Sequence, residues 1–162
     1  MDPQPICPEN YYVYVMLNKV KLKDLMSKNV IALNEDEPFS RVEEVFREKN
    51  IRHLPIINGK GKLVGIVTQR DLYRVQSPRI DEDGNWFYDK EALNTHILKV
   101  AMTKDPKTLG SENTVADALL LMVDKKYGSI PIVEKNGELC GIITQIDILK
   151  MAAAIVREGK GG

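Results

Sequence analysis

The strongest constraint on this chain is that it spells out one folding unit twice. Residues 54–72 read L-P-I-I-N-G-K-G-K-L-V-G-I-V-T-Q-R-D-L, and residues 130–148 read I-P-I-V-E-K-N-G-E-L-C-G-I-I-T-Q-I-D-I. The match needs no gap. Pro55 answers Pro131, Gly65 answers Gly141, Thr68 answers Thr144 and Asp71 answers Asp147, and nine of the nineteen positions are identical. Such a repeat is the signature of a supersecondary unit that buries its apolar face against its copy, so fold and function are both to be read from a pair.

Each copy has the same internal order. The aliphatic and β-branched runs 54–57 and 63–68 flank Asn58-Gly59-Lys60-Gly61, and 130–133 and 139–144 flank Glu134-Lys135-Asn136-Gly137, which predicts two hairpins. Proline at 55 and 131 cannot donate a ladder hydrogen bond, so its strand is expected at an edge or at a bulge. Ahead of the first hairpin, Phe39, Val42, Val45 and Phe46 recur at helical spacing behind Pro38, predicting a helix over 38–50. Its counterpart, 114–126, places Val115, Ala118, Leu119, Met122 and Val123 on one face, with Thr114 and Asp117 as a capping box and Gly128 as a left-handed stop. After each hairpin the period is helical again, through Leu72, Tyr73 and Val75, and through Ile148, Leu149, Met151, Ala152 and Ile155. Short strands at 30–33 and 108–109, the latter weakened by Pro106, complete a β-α-β-β-α unit in an α+β chain.

Bulk properties narrow the function. Lysine plus arginine equals aspartate plus glutamate at 23 each, so no global field gathers nucleic acid or an anionic membrane. No window offers the run of about 18 apolar residues a membrane span requires. The start, Met-Asp-Pro-Gln-Pro, lacks a basic region leading into an apolar run. The two cysteines, Cys7 and Cys140, fall outside any Cys-x-x-Cys spacing; Cys140 takes the place of Val64 and reads as a buried, reduced thiol. A cytoplasmic protein is expected. Asp81, Asp83 and Asn85 alternate as in a calcium loop, but Trp86 and Ala92 stand where such a loop needs glycine and glutamate, so this stretch reads as a solvated linker with a folded-back aromatic cluster, Trp86-Phe87-Tyr88. Tyr11, Tyr12 and Tyr14 belong to a polar lead-in that ends in a short segment packed on the core. The two histidines, His53 and His96, have no metal-site spacing, and there is no P-loop, dinucleotide or G-x-S-x-G motif, so no enzyme activity is expected.

Each copy, opened by Met26 or Met102 and carried through a helix, an h-P-h-h strand and G-h-h-T-x-x-D, resembles a CBS domain, and the tandem resembles a Bateman module. The resemblance divides the chain into a lead-in (1–19), repeat 1 (20–76), a linker (77–94), repeat 2 (95–156) and a tail (157–162). It implies two β-α-β-β-α units packed with pseudo-two-fold symmetry, a homodimer, and an adenosine-containing ligand in clefts between the repeats. AMP, ADP or ATP is the expected ligand, acting as a regulator rather than as a required cofactor and signalling to a separate protein partner. An S-adenosylmethionine-type nucleoside and a ligand-free dimerisation scaffold, using the run Met151 to Val156, are the alternatives.

The chemistry centres on Thr68 with Asp71 and Thr144 with Asp147, each at a strand-to-helix junction. A carboxylate can accept from both hydroxyls of a ribose diol, and a threonine beside free N–H groups at a helix start suits phosphate. The same pair is equally a plain helix cap. The resemblance assigns aspartate to ribose and threonine to phosphate. It also brings in Arg52 and His53 as phosphate contacts, and an adenine slot near Ile31 or Lys107 and Pro55 or Pro131. Arg70, beside Asp71, can make a forked phosphate contact. The second copy has Gly128, Ser129 and Ile146 in place of Arg52, His53 and Arg70, so a less charged ligand is expected there.

Overall fold

The computed structural model describes residues 11–75, 78–87 and 98–159. These fall into two compact units. One holds Val30–Lys107 and Lys135–Leu139; the other holds the chain up to Asn29, Thr108–Glu134 and the chain from Cys140 onward.

In the unit carrying the first copy, α3 (Ser40–Lys49) buries Val42, Val45 and Phe46, while Phe39, at the N-cap position, is wholly buried. Asn50 ends the helix with φ 51°, a left-handed conformation asparagine tolerates better than most residues. The hairpin strands are β2 (His53–Ile57) and β3 (Leu63–Thr68), with His53 opposite Thr68 and Pro55 opposite Ile66. Two further strands, β1 (Leu33–Asn34) and β6 (Thr103–Lys104), make a sheet ordered β1-β2-β3-β6. Pro55 therefore lies on an inner strand, and the register shift falls between Ile56 and Ile57, one residue beyond it. The proline is tolerated because β1 reaches only Ile56 and Ile57, so no strand lies beside Pro55 on that side. The first strand is likewise displaced, to Leu33–Asn34 rather than 30–33.

The helix α4 (Gln69–Val75) follows β3 directly. Within the stretch expected as a solvated linker, the acidic run closes a two-stranded hairpin of β4 (Arg79–Ile80) and β5 (Trp86–Phe87). The Asp81 carboxylate accepts from the N–H groups of Asp83 at 3.0 Å and Asn85 at 2.8 Å, holding the turn. Cys7, Tyr88 and His96 lie outside the described residues.

The short helix α5 (Leu98–Ala101) is tied to this unit by N–H bonds from Leu98 to the Glu37 carbonyl and from Lys99 to that of Glu35. Leu98 and Met102 enter the core with Leu33, Phe39, Leu54, Ile56, Val67 and Leu72. The Met102 sulfur lies so close over Gly65 that a Cβ there would overlap it. That explains the glycine of the G-h-h-T motif.

The unit carrying the second copy repeats this arrangement with the chain's earlier segments. It contains α1 (Tyr11–Lys19), α2 (Leu22–Leu25), α6 (Val115–Lys125), the hairpin strands β7 (Ser129–Val133) and β8 (Leu139–Thr144), and α7 (Gln145–Gly159). Leu22 is wholly buried among Val115, Ala118, Met122, Ile130, Ile132 and Ile143. Backbone bonds from Leu22 to Asn113 and from Val115 to Val20, and a bridge from Ser27 to Ile142, fix the segment. Met26 covers Gly141 as Met102 covers Gly65. The segments that open the two copies are thus exchanged: the one at 22–29 packs with the second copy, the one at 98–104 with the first.

The capping box of Thr114 and Asp117 forms as expected, and its backbone bond holds the Asp117 carboxyl below the usual carboxylate range. Lys126 with φ 56°, not Gly128, ends α6 in the left-handed region. Val123 is 67% exposed, so the buried face of α6 is Val115, Ala118 and Met122. The strand expected at 108–109 is a single parallel bridge from Leu109 to Ile132.

Candidate functional site: two Thr-x-x-Asp corners

Both Thr-x-x-Asp pairs stand where a hairpin strand turns into a helix. In the first, the N–H and hydroxyl of Thr68 both donate to Asp71 Oδ2, at 2.8 and 2.7 Å. In the second, Thr144 does the same to Asp147 Oδ2 at the same distances, and the Asp147 N–H returns a bond to the Thr144 hydroxyl at 3.3 Å. The helix-cap reading is therefore realised in both. The cap also fixes each carboxylate in orientation at the positive end of a helix, which costs a ligand no ordering entropy later.

Strand pairing sets the surroundings. At the first corner the Gln69 N–H donates to the Arg52 carbonyl at 3.1 Å, and His53 lies across from Thr68. At the second the Gln145 N–H donates to the Gly128 carbonyl, also at 3.1 Å. Thr68, Asp71, Arg52 and His53 are thus brought to one corner, with the exposed Arg70 on the first turn of α4. The parallel register of β1 on β2 places Ile31, 37% exposed, toward the edge where β2 begins. Pro55 is buried within the sheet. Lys107 is exposed, and because β6 runs antiparallel to β3 the chain leaving Lys104 moves away from Thr68. At the second corner Thr144, Asp147 and the exposed Ile146 are contiguous, and buried Pro131 accepts from Leu109 through its carbonyl.

The two corners differ in charge. His53 is half-buried, and that burial, with Arg52 adjacent, pushes its pKa below the usual histidine value. Its charged form is thereby disfavoured, so the cationic character here comes from arginines. Arg74 adds to it: its guanidinium Nη2 donates to Asp71 Oδ1 at 3.1 Å. The signal for this was the i, i+3 spacing on a helix, which the pattern of motifs did not weigh. Asp147 Oδ1 accepts no hydrogen bond among the described residues. Ser129, standing where the first copy has His53, is buried with its hydroxyl unpartnered among them.

Cys140 donates to the Ile132 carbonyl, and burial together with Glu134 pushes its thiol up to about 11. It is inert packing rather than a nucleophile. Among the described residues there is no cluster of three or more histidine, cysteine, aspartate or glutamate side chains, and no helix long and apolar enough to cross a membrane.

Comparison with known proteins gives a consistent pattern. The CBS domain family profile matches residues 22–77 and again 97–154. A CBS domain-containing protein of Dictyostelium discoideum is 30% identical over 139 residues, covering 85% of this chain and 94% of its own. An inosine-5'-monophosphate dehydrogenase of Korarchaeum cryptofilum is 33% identical over 128 residues, covering 79% of this chain but only 23% of that enzyme. Among solved structures, CBSX2 in complex with AMP superposes with a TM-score of 0.70 at 24% identity, over 84% of this chain and 98% of its own. The domain pair of protein MJ0100, in complex with 5'-methylthioadenosine and S-adenosyl-L-methionine, does so with a TM-score of 0.66 at 25% identity, over 82% and 98%.

Proposed function

The chain belongs to the CBS domain family, and from that premise we propose that it is a regulatory module that binds an adenosine-containing ligand at its Thr-x-x-Asp corners and signals occupancy to a separate protein in the cytoplasm. The observation that carries this reading is the pair of carboxylates that threonine fixes through Oδ2 at both corners. A carboxylate held in this way is a ready acceptor for a ribose diol. AMP in CBSX2, and methylthioadenosine with S-adenosylmethionine in MJ0100, support the ligand class. Arg52 and Arg70 beside the first corner favour AMP, ADP or ATP there; Ile146 beside the second suits a less charged nucleoside. The adenine slot of this proposal lies near Ile31 or Lys107 and the segment around Pro55 or Pro131. The role is regulatory, not catalytic.

Self-association is the second part of the reading. Leu120 and Val123 of α6 and Leu149, Ile155 and Val156 of α7 are apolar and between 42% and 67% exposed. Such a surface on two adjoining helices suits a symmetric homodimer. A dimerisation scaffold without a ligand would rest on the same surface.

Thermal unfolding in the presence of AMP, ADP, ATP, S-adenosylmethionine or NAD separates the readings. A ligand at a hundred times its Kd stabilises by about 2.7 kcal/mol, or roughly 5–10 °C for a chain of this size. Asp71→Asn and Asp147→Asn, which keep an acceptor for the cap, should each remove the part of the shift due to their own corner. No shift with any of the five at millimolar concentration leaves the scaffold.

A further inference from the structure

We propose that Arg74 is a specificity-determining residue that makes the first corner selective for phosphorylated over neutral ligands; this rests on the ligand-binding role of Asp71 proposed above. The two aspartates are capped alike but differ in their second oxygen. Asp71 Oδ1 is held by Arg74 Nη2 at 3.1 Å, whereas Lys150, the residue standing in the same place after Asp147, forms no ion pair with it. Arg74 is the exposed partner of its pair: its side chain is 70% exposed and that of Asp71 12%.

Asp71 Oδ2 already accepts from the Thr68 N–H and hydroxyl, so a ribose diol that donates both its hydroxyls must take both lone pairs of Oδ1 and displace this guanidinium. A neutral nucleoside offers the released cation nothing, so it binds against the cost of the broken pair. A phosphate-bearing ligand offers an anion in exchange, to a cation already standing at the corner with Arg70 and Arg52. The guanidinium is suited to this exchange because its planar fork fits phosphate and carboxylate equally. At the second corner Asp147 carries no such latch among the described residues, and a neutral nucleoside meets there no guanidinium to displace.

The test measures equilibrium binding of AMP and adenosine by calorimetry, on the full chain carrying Asp147→Asn so that only the first corner is read. Arg74→Gln should tighten adenosine by about two- to fivefold, the range set by a one-sided exposed ion pair, and weaken AMP by about tenfold, the loss of one charge-assisted contact. The ratio of the two affinities then falls at least tenfold. Arg74→Lys, which keeps the charge but not the fork, should give an intermediate ratio. An unchanged ratio in Arg74→Gln, with Asp71→Asn still abolishing binding, overturns the role of Arg74 and leaves the ribose reading intact. Binding that survives Asp71→Asn, or is absent before Arg74 is changed, overturns the ribose reading at this corner and the selectivity with it.

Discussion

Adding one methyl group at Gly65 tests the exchange of opening segments directly. A Cβ there overlaps the Met102 sulfur and stands 2.7 Å from Met102 Cγ and 3.1 Å from the Thr103 carbonyl oxygen. Met102 is 8% exposed and packed in the core, and Thr103 is held by β6, so neither neighbour gives way freely. Overpacking of this kind costs about 1–3 kcal/mol. Relieving a glycine inside a strand returns about 0.5–1 kcal/mol. The net loss for Gly65→Ala is therefore centred on about 1 kcal/mol, a fall of roughly 2–4 °C in Tm. Gly141→Ala meets only side-chain atoms of the half-buried Met26 and should lose less, while Gly59→Ala meets nothing within 4 Å and serves as the control. Urea unfolding of Gly65→Ala, Met102→Ala and the double variant completes the cycle. The overlap vanishes in the double variant, so the two losses should be subadditive by about 1 kcal/mol. Strict additivity, or a Gly65→Ala protein as stable as the Gly59→Ala control, would refute the packing of the 98–104 segment on the first copy.

Three further outcomes follow from local geometry. Thr114→Ala removes one half of the capping box of α6 and should cost about 1 kcal/mol in urea unfolding, while Thr114→Ser should cost much less. Because the pKa of His53 is lowered on folding, the unfolded chain takes up its proton first as pH falls below about 6.5; stability contributed by the neutral imidazole is present above that pH and lost below it, and His53→Gln should flatten this limb of a Tm-versus-pH curve. With its thiol at about 11, Cys140 should react with a disulfide reagent at pH 7.5 only after denaturant is added, and fast labelling of Cys140 in the native protein would contradict its packing.

Much of the fold was legible because the hairpins and α3 and α6 rest on local rules. Both hairpin strand pairs fall within a residue of the runs that foretold them, since alternation and turn residues act over short distances. The capping box at Thr114 was legible for the same reason. The departures come from tertiary pairing. Pro55 sits inside a sheet because β1 is too short to reach it, a fact about a distant segment. β6 has only two residues and no apolar alternation to announce it. The stop falls at Lys126, two residues before Gly128, because the backbone bond from Lys126 to Met122 closes the helix there. At the corners, the motif made both aspartates look alike. What separates them is a single arginine one turn further along the helix, visible as spacing but meaningful only once the distance to Oδ1 is known.

The exchanged opening segments also set an order in time. Leu22 leaves the ribosome early, yet its partners Val115, Ala118 and Ile143 are all made much later. The nascent second core must wait with its first piece already synthesised. The first core waits less, but it too cannot close when its hairpin is complete, because Leu98 and Met102 have not yet been added. The first core lies within the single stretch 33–102, but the second joins Leu22 to residues 109–151 and cannot be cut out of the chain in one piece. A fragment stopped at the end of α4 therefore leaves the first core unfilled and exposes Leu22 without a partner. A chain carrying only one copy could fill its core by borrowing the opening segment of another molecule, which makes duplication the intramolecular form of a domain swap.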